Sequence, residues 1–300
     1  MAAIELRHLR YFVAVAEDLH FTRAAERLHM AQPPLSQQIR ALEAHLGVML
    51  FARNRRTVTL TESGAALLPK ARAMLAAVLA LPEELQRVER GETGVLRIGF
   101  TSTLPLTRVL REVVSDHRRT SPEVSLRLLE MHTARQFEAL RRAELDVGFV
   151  RYNERAPDGL ALKVLRRDPL RLVVPVTHRL ARRRTVSIAD CRDEAFIGFP
   201  NSAGTGSGPL LERLCAQAGF EPRIAQEAGE ATTQIGLVAV GLGLAVLPAP
   251  LEAVRMEGVR YIPLKDPGAM LVMSAATRAN ESSERVLRFL RLMDRLSSSC

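Results

Sequence analysis

Cysteine is scarce in this chain: its 300 residues hold three, Cys191, Cys215 and Cys300, and no two form a CxxC pair. Such usage fits a reducing compartment and provides no disulfide framework. A Cys191–Cys215 redox switch is conceivable, but small buried thiols are the favoured reading. Long apolar stretches are missing as well, since no uninterrupted run reaches the roughly 18 residues of a membrane span. The opening "MAAIELRHLRYF" carries charge where a secretory signal needs an apolar segment. A cytoplasmic protein without a membrane partner is therefore expected.

Catalytic signatures are absent too. "GTGSGP" at Gly204–Pro209 lacks the GK[ST] of a phosphate loop, and the GxG of "VGLGLAVLP" precedes a strand instead of following one. There is no GxSxG, and the seven histidines are scattered without HExxH or Cys/His ligand spacing. His132, beside Thr133, is more simply a locally satisfied side chain than a ligand contact. Nothing builds a nucleophile–base pair, so neither an enzyme, a cofactor nor a metal is expected.

What remains is an ordinary globular composition, 47% apolar and 25% charged, over a length that predicts two or three domains. The net charge of +9 suggests a polyanion partner. Yet up to Glu92 twelve basic residues face ten acidic ones, so most of the excess lies downstream. The case for a nucleic-acid partner must rest on local placement.

That placement begins at "FTRAAERLHMAQPPLSQQIRALEAHLG", Phe21 to Gly47. Before it, "IELRHLRYFVAVAE" puts Leu6, Leu9, Phe12, Val13 and Ala16 on one helical face. "FTRAAERL" is a short helix with Ala24, Ala25 and Leu28 inward, and after the tight "HMA" link Leu35, Ile39, Leu42 and Leu46 repeat at helical spacing up to the stop at Gly47. Pro33 and Pro34 would break a helix interior but are tolerated in its first turn, where the N–H groups have no intrahelical partner. They mark the start of a second helix, which makes a helix-turn-helix whose leading end enters a major groove. Gln32, Ser36, Gln37 and Arg40 offer donors and acceptors there, and Pro33 and Pro34 offer apolar contact to thymine methyls. A solvated αα-hairpin competes for this window alone. "FARNRRTVTLTESG" weakens that alternative, because Val58 and Leu60 alternate with threonines after Arg53, Arg55 and Arg56, a short β-wing with cations for phosphate or the minor groove. From Thr61, an N-cap, a long helix carries Leu68, Ala71, Leu75, Val78, Leu85 and Val88 as a near-heptad seam for a partner helix. Pro69 and Pro82 depart from an ideal helix, and a kink is expected at Pro82.

The run "LRYFVAVAEDLHFTRAAERLHMAQPPLSQQIRALEAHLGVMLFARNRRTVTLTESG" resembles the N-terminal domain of LysR-type transcriptional regulators, and the likeness extends over the whole chain. "AQPPLS" resembles the branch that senses aromatic-degradation intermediates such as benzoate, muconate and chlorinated relatives. The family often has Arg after "LS" where this chain has Gln37, which bears on half-site preference. The resemblance implies double-stranded DNA, a small-molecule inducer and RNA polymerase as partners, and self-association as a dimer through the linker helix and further as a tetramer.

After the "RGETG" hinge, strand Val95–Phe100, a helix with Leu106 to Val114, strand "VSLRLLEM", helix "ARQFEALRRAEL" and strand "DVGFV" form a βαβαβ pattern with a parallel sheet. A second set follows: strands "LRLVVPV" and "AFIGF", helix "PLLERLCAQAG", strand "RIAQEA", helix "TTQIGLVAVG" and strand "LAVLP". A strand around Leu271–Ala275 and helix Glu284–Leu296 return to the first lobe. Two lobes crossed twice resemble periplasmic-binding-protein folds. The expected class is an α+β winged helix-turn-helix domain plus an α/β two-lobed effector domain. Its parts are a DNA-binding domain at 1–60, a linker helix at 61–90, a hinge at 91–94 and an effector domain at 95–300, with lobe I about 95–163 and 268–300 and lobe II about 164–267. Ligands in such sheets sit beyond the strands' carboxyl ends. Those positions are Thr101, Ser102, Thr103, Thr133, Arg151, Asn201, Ser202 and Thr232, a set suited to a small carboxylate. The resemblance implies that the inducer carboxylate meets the hydroxyls of Thr103, Thr133 and Ser202. Arg151 has an alternative in pairing with Glu154 or Asp146. A solute-binding protein would need a signal peptide and has no use for residues 1–90, and an enzyme on this fold would need a catalytic pair.

Overall fold

The computed structural model describes residues 4–53, 57–204 and 206–297. The chain divides into two compact units, Met1–Gln86 and Arg87–Cys300.

The first unit opens with helices α1 (Leu6–Asp18), α2 (Phe21–Arg27) and α3 (Gln32–Leu46). The buried face of α1 is Leu9, Phe12, Val15 and Ala16, whereas Leu6, expected inside, is 47% exposed. Ala24 and Ala25 are fully buried, and their small side chains admit α1 and α3 closely. Leu35, Ile39 and Leu42 are the inward residues of α3, and Gly47 ends it in the left-handed conformation at φ +69°. Strands β1 (Phe51–Arg53) and β2 (Val58–Leu60) form the antiparallel wing. Phe51 anchors the wing against Phe12 and Phe21, with ring centroids 5.5 and 5.8 Å away. The buried carboxylate of Glu43 accepts from the Leu50 and Phe51 amides at 2.9 and 3.2 Å, fixing where the wing leaves the core. The predicted wing cations Arg55 and Arg56 lie outside the described residues, as does Cys300.

Thr61 caps α4 (Glu62–Glu89), its Oγ1 accepting from Gly64 N at 3.0 Å. The helix continues unbroken through Pro69 and Pro82. The first half of the expected seam packs on the head. Ala71 is buried in the head's own core, with Leu67, Leu68 and Leu75 against it. The stripe left exposed runs through Met74, Val78, Leu81, Leu85 and Val88 at spacings of four and three, and so bypasses Pro82. Alanines and leucines lift an 18-residue window of α4 to a mean hydropathy of 1.5, which makes it, among the described residues, the one helix long and apolar enough by length and composition to cross a membrane. Scanning for uninterrupted apolar runs missed this because charged residues punctuate the window.

In the second unit, β3 (Gly94–Phe100), α5 (Arg108–Thr120), β4 (Val124–Glu130), α6 (Thr133–Arg141) and β5 (Val147–Arg151) make the expected parallel arrangement, with β3 between β4 and β5. The rest departs from two separate parallel sets. Strand β6 (Leu160–Pro175) is 16 residues long, so the boundary expected at 163/164 falls inside one uninterrupted strand. After it come β7 (Ala195–Gly198), α7 (Ser207–Gln217), β8 (Arg223–Glu227), α8 (Ala231–Ala239), β9 (Ala245–Pro248), β10 (Val259–Pro263), β11 (Met270–Arg278) and α9 (Glu284–Ser297). The first half of β6 pairs antiparallel with β11, and its second half with β10 and β9. One lobe is thus built on β4-β3-β5-β11-β6, the other on the far end of β6 with β9 and β10, and β7 with β8 forms a small parallel pair beside it. Separate cores fill the lobes, around Phe149 and Phe289 in the first and Phe196 and Leu214 in the second.

Cys191 and Cys215 lie in that second core, where burial pushes their thiols up to about 12 and about 11. Both are neutral at physiological pH, the state of an inert structural thiol.

Candidate DNA-binding surface and effector cleft

The turn before α3 depends on His29, held at φ +54°, a left-handed conformation uncommon for a residue with a side chain. Ala31 is the N-cap, Gln32 the first helical residue, and Pro33 and Pro34 follow within the first turn, where their missing N–H groups break no bond. Pro33, Ser36, Gln37 and Arg40 recur at intervals of three, one and three, so they share one face opposite Leu35, Ile39 and Leu42. Pro33, Pro34, Gln37 and Arg40 are exposed. Gln32 Nε2 donates to Ser36 Oγ at 2.7 Å, so these two side chains hold each other. Gln37 and Arg40 have no hydrogen-bond or ion-pair partner among the described residues and stand free for one. Arg53 closes β1 at the base of the wing.

In the second unit, a small cavity between the lobes is lined by Thr101, Ser102, Thr103 and Arg151 from the first and by Phe199, Ser207, Gly229 and Leu251 from the second. Its free volume is about 30 Å³, room for a water or two and too little for an aromatic acid. The lobes meet closely: a Cβ on Gly204, at φ +57°, would lie 2.8 Å from Ala134 Cβ. At the mouth His132 Nε2 is 3.7 Å from Glu230 of the opposite lobe. Ser102 and His132 also line a wider open pocket of about 460 Å³ next to the mouth.

Of the expected residues, Thr101, Ser102, Thr103 and Arg151 are brought together. Thr101 and Thr103 share a hydrogen bond of 3.2 Å, and Arg151 Nε donates to Thr103 Oγ1 at 3.1 Å. Arg151 pairs with neither Glu154 nor Asp146. Its Nη1 bonds the buried carboxylate of Asp168, which also accepts from Arg166 Nε at 2.6 Å, while Nη2 is buried without a partner. Burial lowers the Arg151 pKa, and the neighbouring Asp168 opposes that shift. Thr133 is fully buried behind this group, its Oγ1 accepting from the Arg151 amide at 3.2 Å, so it does not line the cavity. Asn201 and Ser202 lie in a short 3₁₀ turn, with Ser202 exposed, and Thr232 is exposed inside α8, whose N-cap is Glu230. Neither Ser202 nor Thr232 lines the cavity. The lining residues that sequence reading missed, Phe199, Ser207, Gly229, Pro248, Leu251 and Leu271, are mostly apolar or small. A search for polar groups past strand ends passes over such residues. Among the described residues no cluster of His, Cys, Asp and Glu could hold a metal.

A winged helix-turn-helix head followed by a two-lobed α/β unit around an interlobe cavity defines a DNA-binding transcriptional regulator with an effector domain. Residues 6–65 match the bacterial regulatory helix-turn-helix proteins of the lysR family, and residues 89–297 match the LysR substrate binding domain. The chain belongs to the LysR family of transcriptional regulators. It is 43% identical over 270 residues to the regulator YnfL of Escherichia coli, covering 90% of this chain and 91% of that one. To CatR of Pseudomonas putida it is 38% identical, covering 97% and 98%. A crystal structure of full-length CbnR with its target DNA superposes with a TM-score of 0.74 at 30% identity, covering 98% of this chain and all of the other. The chain is accordingly a regulator and not an enzyme.

Proposed function

We propose that the chain binds promoter half-sites as a dimer or tetramer in the cytoplasm and responds to a small carboxylate, of the kind derived from aromatic compounds, held between its lobes. Residues 1–60 read DNA, 61–90 dimerise, 91–94 act as the hinge, 95–300 sense the inducer, and the output reaches RNA polymerase. The observation that carries this reading is the unengaged polar edge of α3, Gln37 and Arg40 beside two exposed prolines. The exposed stripe of α4 suits a partner helix, since the same helix already packs its N-terminal half on the head through Ala71. Arg53, Arg55 and Arg56 supply phosphate contacts from the wing.

Fluorescence anisotropy on the chain's own promoter fragment tests this. Arg40→Ala is expected to weaken binding to every sequence and to reduce the salt slope by about 0.9. Gln37→Ala is expected to cost about 1–3 kcal/mol at one base pair per half-site and relax preference there. If neither variant alters affinity or slope, α3 does not face the duplex.

The cleft reading is supported by Thr101, Thr103 and Arg151 around one cavity, with Thr133 buried behind them and Ser202 and Thr232 outside the lining in the present closed form. An inducer must therefore part the lobes, and the only ligand that shifts the equilibrium is one with higher affinity for the open arrangement. Screening benzoate and cis,cis-muconate by thermal shift should find stabilisation approaching about 2.7 kcal/mol at a hundredfold excess over Kd, which Thr103→Val reduces. Equal stabilisation of both proteins would remove Thr103 from the site.

A further inference from the structure

The junction between the linker helix and the effector domain is gripped by the C-terminal helix. Gly91 sits against the first turn of α9 at φ +65°: a Cβ there would lie 2.7 Å from Arg285 Cα and 2.9 Å from the Glu284 carbonyl carbon. Those are backbone atoms, which cannot step aside as a flexible side chain would. Gly94, at φ +112°, faces the Arg285 guanidinium directly. Arg285 Nη1 donates to Thr93 O at 3.3 Å, its Nε is buried without a partner, and its charge also helps hold Asp146 ionised. Around this contact Glu92 accepts from Arg90 Nε at 2.9 Å and lies 3.9 Å from Arg288 Nη2, while Arg87 of the last turn of α4 pairs with Glu123. The junction therefore has defined partners on every side, unlike a free polar hinge.

The helix that does the gripping is joined to the cavity wall. Leu271 lines the cavity and stands opposite Asp168 in the β11–β6 register. β11 runs on to Arg278, which bonds Glu281, and Glu281 in turn accepts from the Ser283 amide at 2.9 Å just before α9. Val286, Phe289 and Met293 key α9 into the first lobe's core, so the helix moves with that lobe.

We propose that Arg285 is a positioning residue for regulation: through it α9 clamps residues 91–94, and displacement of β11 at the cleft is delivered to the linker helix. This rests on the regulator reading above. Hinge positions absorb a conformational change at a few residues, and here α9 sets which conformation they hold.

The test uses the full-length chain. Trypsin cleaves after Arg90 only when the junction opens locally. Arg285→Ala and Gly91→Ala are expected to raise that cleavage rate by about tenfold over wild type. Gly159→Ala, which places the same left-handed strain at φ +76° with nothing within 4 Å, should leave the rate unchanged. Arg285→Lys keeps a donor for Thr93 O and should restore protection. On a promoter fragment bound by wild type, Arg285→Ala should change the DNA bend measured by circular permutation, with affinity held within about threefold since the head is untouched. Wild-type cleavage rates in both Arg285→Ala and Gly91→Ala, or an unchanged bend, would overturn the clamp. Failure of the wild type itself to bind any promoter fragment would instead overturn the regulator reading. Should Arg285→Ala not fold, Gly91→Ala against Gly159→Ala decides alone.

Discussion

Leu85→Asp is expected to turn the protein into a monomer and lower its operator affinity by roughly 10²–10⁴. Leu85 is 64% exposed on the single chain and sits in the stripe with Val78, Leu81 and Val88, so it adds little to the fold of its own unit. Between two copies each such leucine gains about 1.5–3 kcal/mol on burial, whereas a carboxylate there is desolvated without a partner. The operator loss arises because the second half-site is reached at high effective concentration only while the two heads are tethered. Sedimentation, circular dichroism and a gel shift on one promoter fragment check this together. A monomer with full helix content and weak binding is the expected triple, and a dimer with unchanged affinity would place the interface elsewhere.

Asp168→Ala is the second large effect, expected to destabilise the effector unit by about 3–5 kcal/mol. Asp168 is fully buried and Arg151 nearly so, and Arg166 bonds the same carboxylate. Removing the carboxylate leaves a buried guanidinium whose Nη2 already has no partner. Replacing Arg151 and Asp168 together by methionine and leucine should recover most of the loss, since a buried pair adds little over well-packed apolar groups. Chemical denaturation of both variants measures it. If the single substitution were neutral, the pair would not be closed to water as its burial indicates.

The DNA-binding head was the most legible part of the chain, for a local reason. Paired prolines in a first turn, alanines at a helix contact and a glycine stop act within a few residues of where they stand. The β3–β5 stretch was legible for the same reason, each strand followed by its own helix. The first half of β6 was not. The expected strand begins only at Leu170, after Lys163, Arg166, Arg167, Asp168 and Pro169, yet these residues sit in register against β11, about a hundred residues on. The alternative partners for Arg151, Glu154 and Asp146, are nearer along the chain than Asp168, but Asp146 is taken by Arg97 at 2.8 Å. Of the expected α4 seam, Val78, Leu85 and Val88 are exposed, whereas Leu68, Ala71 and Leu75 are claimed by the head, a tertiary preference that a heptad count along one helix does not contain. In the cleft, strand-end logic located Thr101 to Thr103 and Arg151, while Thr133 fell behind them because its hydroxyl serves the Arg151 backbone.

Selection of random-sequence duplexes by the purified full-length protein, at about 0.1 M salt where phosphate contacts are only partly screened, addresses the reading of DNA by α3 most directly. The expected product is an enriched inverted repeat with half-sites about one helical turn or a multiple apart, and a Gln37→Ala protein that loses the preference at one symmetric position in each half. A library that emerges as random as it entered, or a preference that Gln37→Ala and Arg40→Ala leave intact, would contradict it.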